Sequence, residues 1–328
     1  GILIGFFIAP SVINKIGNDK SCLYFGTIFV ALFIPLPFVK AFPILCLTLF
    51  FSGLSASAVE VSMNAIAAKM EVVFEKRMMS RFHSFWTFGV FLGAILTMCS
   101  SMLLVSFGLQ QLVMSPILIL FLILSALSLP NERKKKLTIP YKNKMKLLPS
   151  RNIIILCLTP FGALLLEGVL MEWTAVFQQN YLGRSPFEAA VVFSSFASAM
   201  TIARYFGDKI IDKLGLKKSV FISIILSFFG MLIYSLGSLF WLSILGASMV
   251  GAGVANIYPV TMTLTASKSN NPERDVSTVA FFSFTALLAG APLVGLIGNS
   301  LGLAVSLAIL APFSLFPLLY LILEKTNS

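Results

Sequence analysis

Acidic residues are scarce in this chain. Its 328 residues include 13 aspartates and glutamates and a single histidine, His83. One histidine cannot supply a zinc-peptidase pair, and neither a phosphate-cradling P-loop nor a paired metal-ligand spacing is present. Enzyme chemistry and direct ATP coupling are therefore set aside, and no cofactor or metal is expected. Cysteine is equally sparse. Cys22, Cys46, Cys99 and Cys157 lie inside apolar stretches without CxxC or Cys/His spacing, so they read as small packing residues. A net charge of +11 would suit nucleic acid, but no basic helix interleaved with stacking aromatics goes with it.

Apolar surface is what the chain has in excess. It is 58% hydrophobic and 11% charged, with a mean hydropathy of +0.94, against about 45–50% apolar and about 25% charged for soluble domains. Runs of about twenty apolar residues recur throughout, as a bilayer core of about 30 Å requires of helices. The pattern predicts eleven spans, over residues 1–13, 21–39, 42–68, 81–105, 111–129, 152–177, 187–206, 219–236, 239–266, 276–299 and 301–323. The basic, proline-containing stretch 131–150 is the one break in composition. It divides an all-α chain into a bundle over 1–130 and a second over 151–328, joined by a linker on one membrane face.

Lysine and arginine set the orientation. Of the 24 basic residues, 22 fall on one face if Arg204 is counted at a helix mouth, and only Lys40 and Arg184 fall on the other. The basic face, with the C-terminus, is expected to be cytoplasmic.

One offset relates two charged turns. In Gly207–Lys218 (GDKIIDKLGLKK), Asp208, Lys209, Asp212, Lys213, Lys217 and Lys218 crowd between apolar segments as a charged hinge. Gly215 is placed to end a helix in the left-handed conformation. A weaker copy lies 198 residues earlier, with Asn14 at the place of Asp212, Lys15 at Lys213, Gly17 at Gly215 and Lys20 at Lys218. A shared offset is the mark of an internal repeat, from which many secondary transporters are built. The same offset expects about 48 further residues with one more span ahead of Gly1, twelve helices in all.

These features resemble the major facilitator superfamily: two six-helix halves, a basic central loop, and a GDxxxDxxGxKK motif matched by Gly207, Asp212, Lys213, Gly215, Lys217 and Lys218. The resemblance implies a monomer in a bacterial inner membrane whose motif latches helix ends on the cytoplasmic side. The first copy departs from the pattern, since Asn14 replaces an acid and Asp19 a base. The third span, Gly53 to Asn64, resembles the fourth helix of fucose-permease-like proton symporters. There an acid precedes an asparagine by one turn, as Glu60 precedes Asn64 on one helix face. Related carriers of unassigned substrate show acid-Gly and acid-Trp pairs on helix seven, matched by Glu167-Gly168 and Glu172-Trp173.

A carboxylate at mid-bilayer costs about 2.5–3.5 kcal/mol on translocon scales, so it normally lines a cavity or pathway. Glu60, six to nine residues from the expected end of its span, is read as proton carrier or substrate ligand, or as the partner of a helix-end base such as Arg81. Glu167 is a cavity ligand or a packed structural acid, with Gly168 loosening the backbone beside it. Glu172 and Trp173 lie near the outer surface, as pathway residues or as an interfacial acid and belt aromatic. His83 shares a proton path with Glu60 or bonds a carbonyl at the helix mouth. Trp86 faces a sugar-like ring or lipid. Asn256 and Tyr258 occupy the second-half place of the Glu60 stretch, position 258 being 198 beyond 60, and are placed to bond a substrate while Pro259 kinks the helix.

Proton-coupled uptake of a small polar, sugar-like solute is the leading expectation. A proton antiporter exporting drugs or metabolites and a non-transporting membrane scaffold are the alternatives. The expected partners are solute, protons and lipid.

Overall fold

In the computed structural model, residues 1–128, 151–269 and 272–326 are described. The linker expected over 131–150 therefore lies outside the described residues. The described chain is helical throughout. In order it forms α1 (Ile2–Ile16), α2 (Asn18–Phe33), α3 (Phe42–Phe74), α4 (Met79–Met102) and α5 (Phe107–Ser128), then α6 (Arg151–Leu158), α7 (Phe161–Val176), α8 (Pro186–Leu214) and α9 (Leu216–Leu236). The last five are α10 (Phe240–Val254), α11 (Ile257–Lys268), α12 (Pro272–Leu301), α13 (Leu303–Ile309) and α14 (Pro317–Thr326). Among the described residues, nine helical segments are long and apolar enough to cross a bilayer. The outward aromatics, such as Phe7, Phe42 and Phe187, are exposed, as lipid-facing side chains should be. The protein is an integral membrane protein.

Three expectations about helix ends are corrected. Residues 207–214 are helical, so the charged hinge is the last two turns of α8 and the turn itself is Gly215 alone. Nothing in DKIIDKL breaks a helix; Lys209, Asp212 and Lys213 are exposed to water, and Asp208 is buried against the start of α4. Likewise α3 runs to Phe74 and not to 68, which puts Glu60 about 21 Å from the helix end at 1.5 Å per residue. Gly215 has φ 81° and ψ 157°, outside the left-handed helical well expected for it but equally closed to a side chain. Its repeat counterpart Gly17 has φ 88° and ψ 157°. Gly17 N–H donates to Ile13 O at 2.7 Å and Gly215 N–H to Ile211 O at 2.8 Å, so the two turns share their backbone geometry and their bonds.

Small residues let helices approach closely, as membrane packing requires. A Cβ on Gly168 of α7 would stand 2.2 Å from Leu287 O of α12. The backbone there is not loosened; Gly168 is a contact point inside a continuous helix. One buried cluster fills the space among α7, α8, α9, α10 and α12, with Leu166, Val192, Met231 and Val250 at its centre. A second joins the helices before and after the linker, bringing Phe6, Val61 and Met79 against Leu164, Met262 and Val279.

Of the seams that join the earlier helices to the later ones, two differ in their chemistry. At the start of α4, where it meets the end of α8, the contacts are polar. Asp208 accepts the N–H groups of Ser80 (3.3 Å) and Arg81 (3.0 Å), and the Arg81 guanidinium lies 5.6 Å from the centre of the Tyr205 ring. Between α1 and α12 the contacts are aromatic, Phe6 on Phe284 and Phe7 on Phe281, with Ser277 Oγ donating to Phe6 O.

Candidate functional site

Helical spacing places Glu60 and Asn64 on one face of α3, and Asn64 binds the acid directly. Its Nδ2 donates to Glu60 Oε1 at 2.8 Å and to Glu60 O at 3.0 Å. With the amide turned this way, Asn64 Oδ1 accepts from His83 Nε2 of α4 at 2.8 Å. From α11 the Tyr258 hydroxyl donates to the same Glu60 Oε1 at 2.9 Å, and the His83 and Tyr258 rings meet edge-on at 5.4 Å. Four predicted residues thus form one network across three helices. Asn64, His83 and Tyr258 are buried, and Glu60 is partly so. Among the described residues the carboxylate has no base as its direct partner: Arg81, the candidate, is engaged at the α8 seam. Nor does His83 bond a backbone carbonyl; its ring partner is the Asn64 amide.

A second cluster lies beside the first. Glu167 of α7 pairs with Arg204 of α8 at 2.9 Å, both about 2% exposed. Counting Arg204 at a helix mouth was therefore wrong. It is a buried charge inside the bundle, and sequence reasoning missed it as the partner of Glu167. Arg204 Nε donates to Ala255 O at 2.8 Å. That carbonyl is available for a physical reason: Pro259, four residues on, has no N–H to bond it. The helix accordingly breaks between α10 and α11, as the proline predicts. The Trp86 ring of α4 lies 5.8 Å from the Arg204 guanidinium. Glu60 is within electrostatic range of both members of the pair.

The remaining predicted residues serve elsewhere. Glu172 is exposed and apart from both clusters. Trp173 Nε1 donates to Ala291 O at 3.0 Å, which straps α7 to α12. Asn256, at the helix break, donates to Ala203 O at 3.0 Å, and its amide fills the space above Gly207. The spacing Gly298-x-Ser300-x-Gly302 matches a hydrolase nucleophile elbow by letter, but it lies at the end of α12 with no strand before it.

The charged motif divides by burial. Asp208 is 4% exposed and reaches the start of α4. Glu71 accepts the N–H groups of Met78 and Met79 at 2.7 and 2.9 Å, and a hydroxyl hydrogen bond from Thr263 at 2.9 Å. Two carboxylates from different helices thus satisfy the four N–H groups that a helix start leaves open. Asp212 instead pairs with Arg77 at 3.3 Å with side chains 53% and 42% exposed, and Lys213, Lys217 and Lys218 are exposed. Glu71 was not singled out from the sequence. Its signal was an acid eight residues ahead of a helix start.

Comparison with known proteins decides the family. The sequence model of the Major Facilitator Superfamily matches residues 1–290 and 173–328. The chain belongs to this superfamily. It is 25% identical over 305 residues to an uncharacterized transporter of Sinorhizobium fredii, covering 92% of this chain and 79% of that protein. In fold it is similar to the Escherichia coli fucose:proton symporter FucP, with a TM-score of 0.72 at 16% identity over 100% of this chain and 88% of that one. It is also similar to the human organic anion transporter MFSD10, with a TM-score of 0.75 at 15% identity over 97% and 81%. These two likenesses establish the superfamily fold, and the fucose-permease-like branch suggested by Glu60 and Asn64 agrees with the first.

Proposed function

We propose that this chain is a secondary active transporter that couples proton movement to uptake of a small polar, sugar-like solute by alternating access. The observation that carries the reading is the position of Glu60. It is an acid inside an apolar bundle, held by Asn64 on its own helix and by Tyr258 from across the junction between the earlier and later helices. A carboxylate so placed changes partners whenever the two sets of helices rock, so its proton and the conformation are linked. The fold neighbours described as a fucose:proton symporter and an organic anion transporter support transport of a small polar organic compound. On this reading the basic end of the bundle is cytoplasmic, and Asp208 closes it while the carrier faces outward.

The test is solute accumulation in proteoliposomes with an imposed pH gradient. Glu60→Gln should abolish uphill accumulation while solute exchange remains measurable. Undiminished uphill uptake by the variant removes Glu60 from the coupling step.

A further inference from the structure

Replacing a buried ion pair with apolar side chains is often neutral or stabilising, so stability alone does not explain one. The Glu167–Arg204 pair therefore calls for a role. Arg204 is held twice, by Ala255 O at Nε and by Glu167 at Nη2. The first anchor does not depend on the second, so the guanidinium stays in place when Glu167 withdraws. Among the described residues these bonds use two of its five N–H donors, and a planar fork accepts a carboxylate in bidentate geometry.

The pair also stands where the bundle can part. A cavity of about 10 Å³ lies between Trp86 and Thr87 of α4 on one side and Glu167, Met171, Phe196 and Met200 of α7 and α8 on the other. It holds no more than a water as it stands, and movement of α4 away from α7 and α8 enlarges it. The flat indole of Trp86 then borders the guanidinium as an apolar platform for a carbon skeleton.

The surrounding charges are few. Among the described residues, Glu60 of α3, His83 of α4 and Tyr258 of α11 are the titratable groups in range. α10 carries no charged residue, α9 keeps Lys217 and Lys218 in its first turn, and α12 keeps Arg274 and Asp275 near its start. That start is about 20 Å along α12 from Leu287, at the level of Gly168.

We propose that Arg204 binds a carboxylate on the transported solute and that Glu167 occupies that place as an internal stand-in until it takes a proton. This rests on the transport reading above and narrows its solute to a small hydroxylated organic acid. The exchange balances in charge. A proton from water neutralises Glu167, the solute carboxylate replaces it on Arg204, and release reverses both steps. Through Glu167 one proton travels with each anion, beside the proton that Glu60 carries.

The test is binding to the purified full chain, followed by the component of tryptophan fluorescence that Trp86→Phe removes. The probes are D-glucuronate, D-gluconate and L-lactate against the neutral D-glucose, sorbitol and propane-1,2-diol, between pH 5.5 and 8. A carboxylate probe should titrate the signal while its neutral counterpart does not, and binding should tighten by up to about tenfold per pH unit lowered. Glu167→Gln should bind the probe tightly without that pH dependence, and Arg204→Gln should not bind it. Absence of any carboxylate titration, equal response to neutral probes, or wild-type binding insensitive to pH overturns the proposal. The wild-type pH series decides even where a variant fails to fold. Proton-driven uptake of a neutral solute that survives Arg204→Gln overturns this proposal and leaves the transport reading standing. Carboxylate binding without proton-driven uptake does the reverse.

Discussion

The Tyr258 hydroxyl donates to Glu60 Oε1 at 2.9 Å across 198 positions of sequence, the same interval that carries Gly17 onto Gly215. Two positions one repeat interval apart therefore meet each other, as residues beside a pseudo-twofold axis between two copies would. A residue on such an axis faces its own equivalent. Two carboxylates there would repel, and an acid opposite a phenol bonds instead.

Tyr258→Phe removes that bond and keeps the ring edge against His83. A hydrogen bond to a charged group contributes about 1.5–3 kcal/mol, so the closed arrangement should lose about 10- to 150-fold in population. Double electron–electron resonance between spin labels on α3 and α11 reads this directly. Unchanged distance distributions would show that the bond is not retained in the membrane.

Asp208→Ala should open the basic end. The acid caps the start of α4 across the seam, an interaction of about 0.5–2 kcal/mol for a helix N-cap, so alkylation of a cysteine placed beneath it should speed up by about 2- to 30-fold. Asp212→Asn should change that rate little, because exposed pairs contribute about 0–1 kcal/mol. The reverse ranking would return the latch to the exposed acid.

Gly168→Ala should destabilise the protein sharply. The added Cβ would meet the Leu287 carbonyl at 2.2 Å, and the carbonyl belongs to a helix backbone that cannot step aside cheaply. Gly89 of α4 has nothing within 4 Å of the equivalent Cβ. Gly89→Ala should therefore be neutral or raise the melting temperature, since alanine is favoured over glycine in a helix by about 1 kcal/mol. Equal melting temperatures in detergent for the two variants would contradict the close approach of α7 to α12.

Pro259→Ala restores an N–H that competes with Arg204 for the Ala255 carbonyl. Transport should fall while the thermal melt stays within a few degrees of wild type. A variant with unaltered uptake would show that the guanidinium does not need this tether.

The broad outline of the fold was legible because bilayer thickness writes itself into sequence as apolar runs of fixed length. The repeat was legible because glycine at positive φ is hard to replace, so Gly17 and Gly215 survive as markers. Of the site, Glu60 and Asn64 were joined by helical spacing, His83 was offered a proton path shared with Glu60, and Tyr258 was picked as the counterpart of Glu60 in the repeat. The hydrogen bonds that bind all four into one network were not visible, since they depend on how α3, α4 and α11 meet. Arg204 was missed because a base some ten residues before a helix end looks like one that reaches water. Only the packing of α4 over it shows otherwise. Asp208 and Asp212 were indistinguishable by letter, and one helical turn of depth separates their roles.

The contrast between the polar start of α4 against the end of α8 and the aromatic seam of α1 with α12 has a calorimetric consequence. Exposing apolar surface raises heat capacity, whereas separating a capped helix start from its carboxylate contributes little of the kind. Conformational exchange that parts the aromatic seam should therefore give a curved van't Hoff plot, and one that parts only the capped start of α4 a nearly straight one. Cooling weakens apolar contacts. The temperature dependence of the exchange thus reports which side of this carrier yields first.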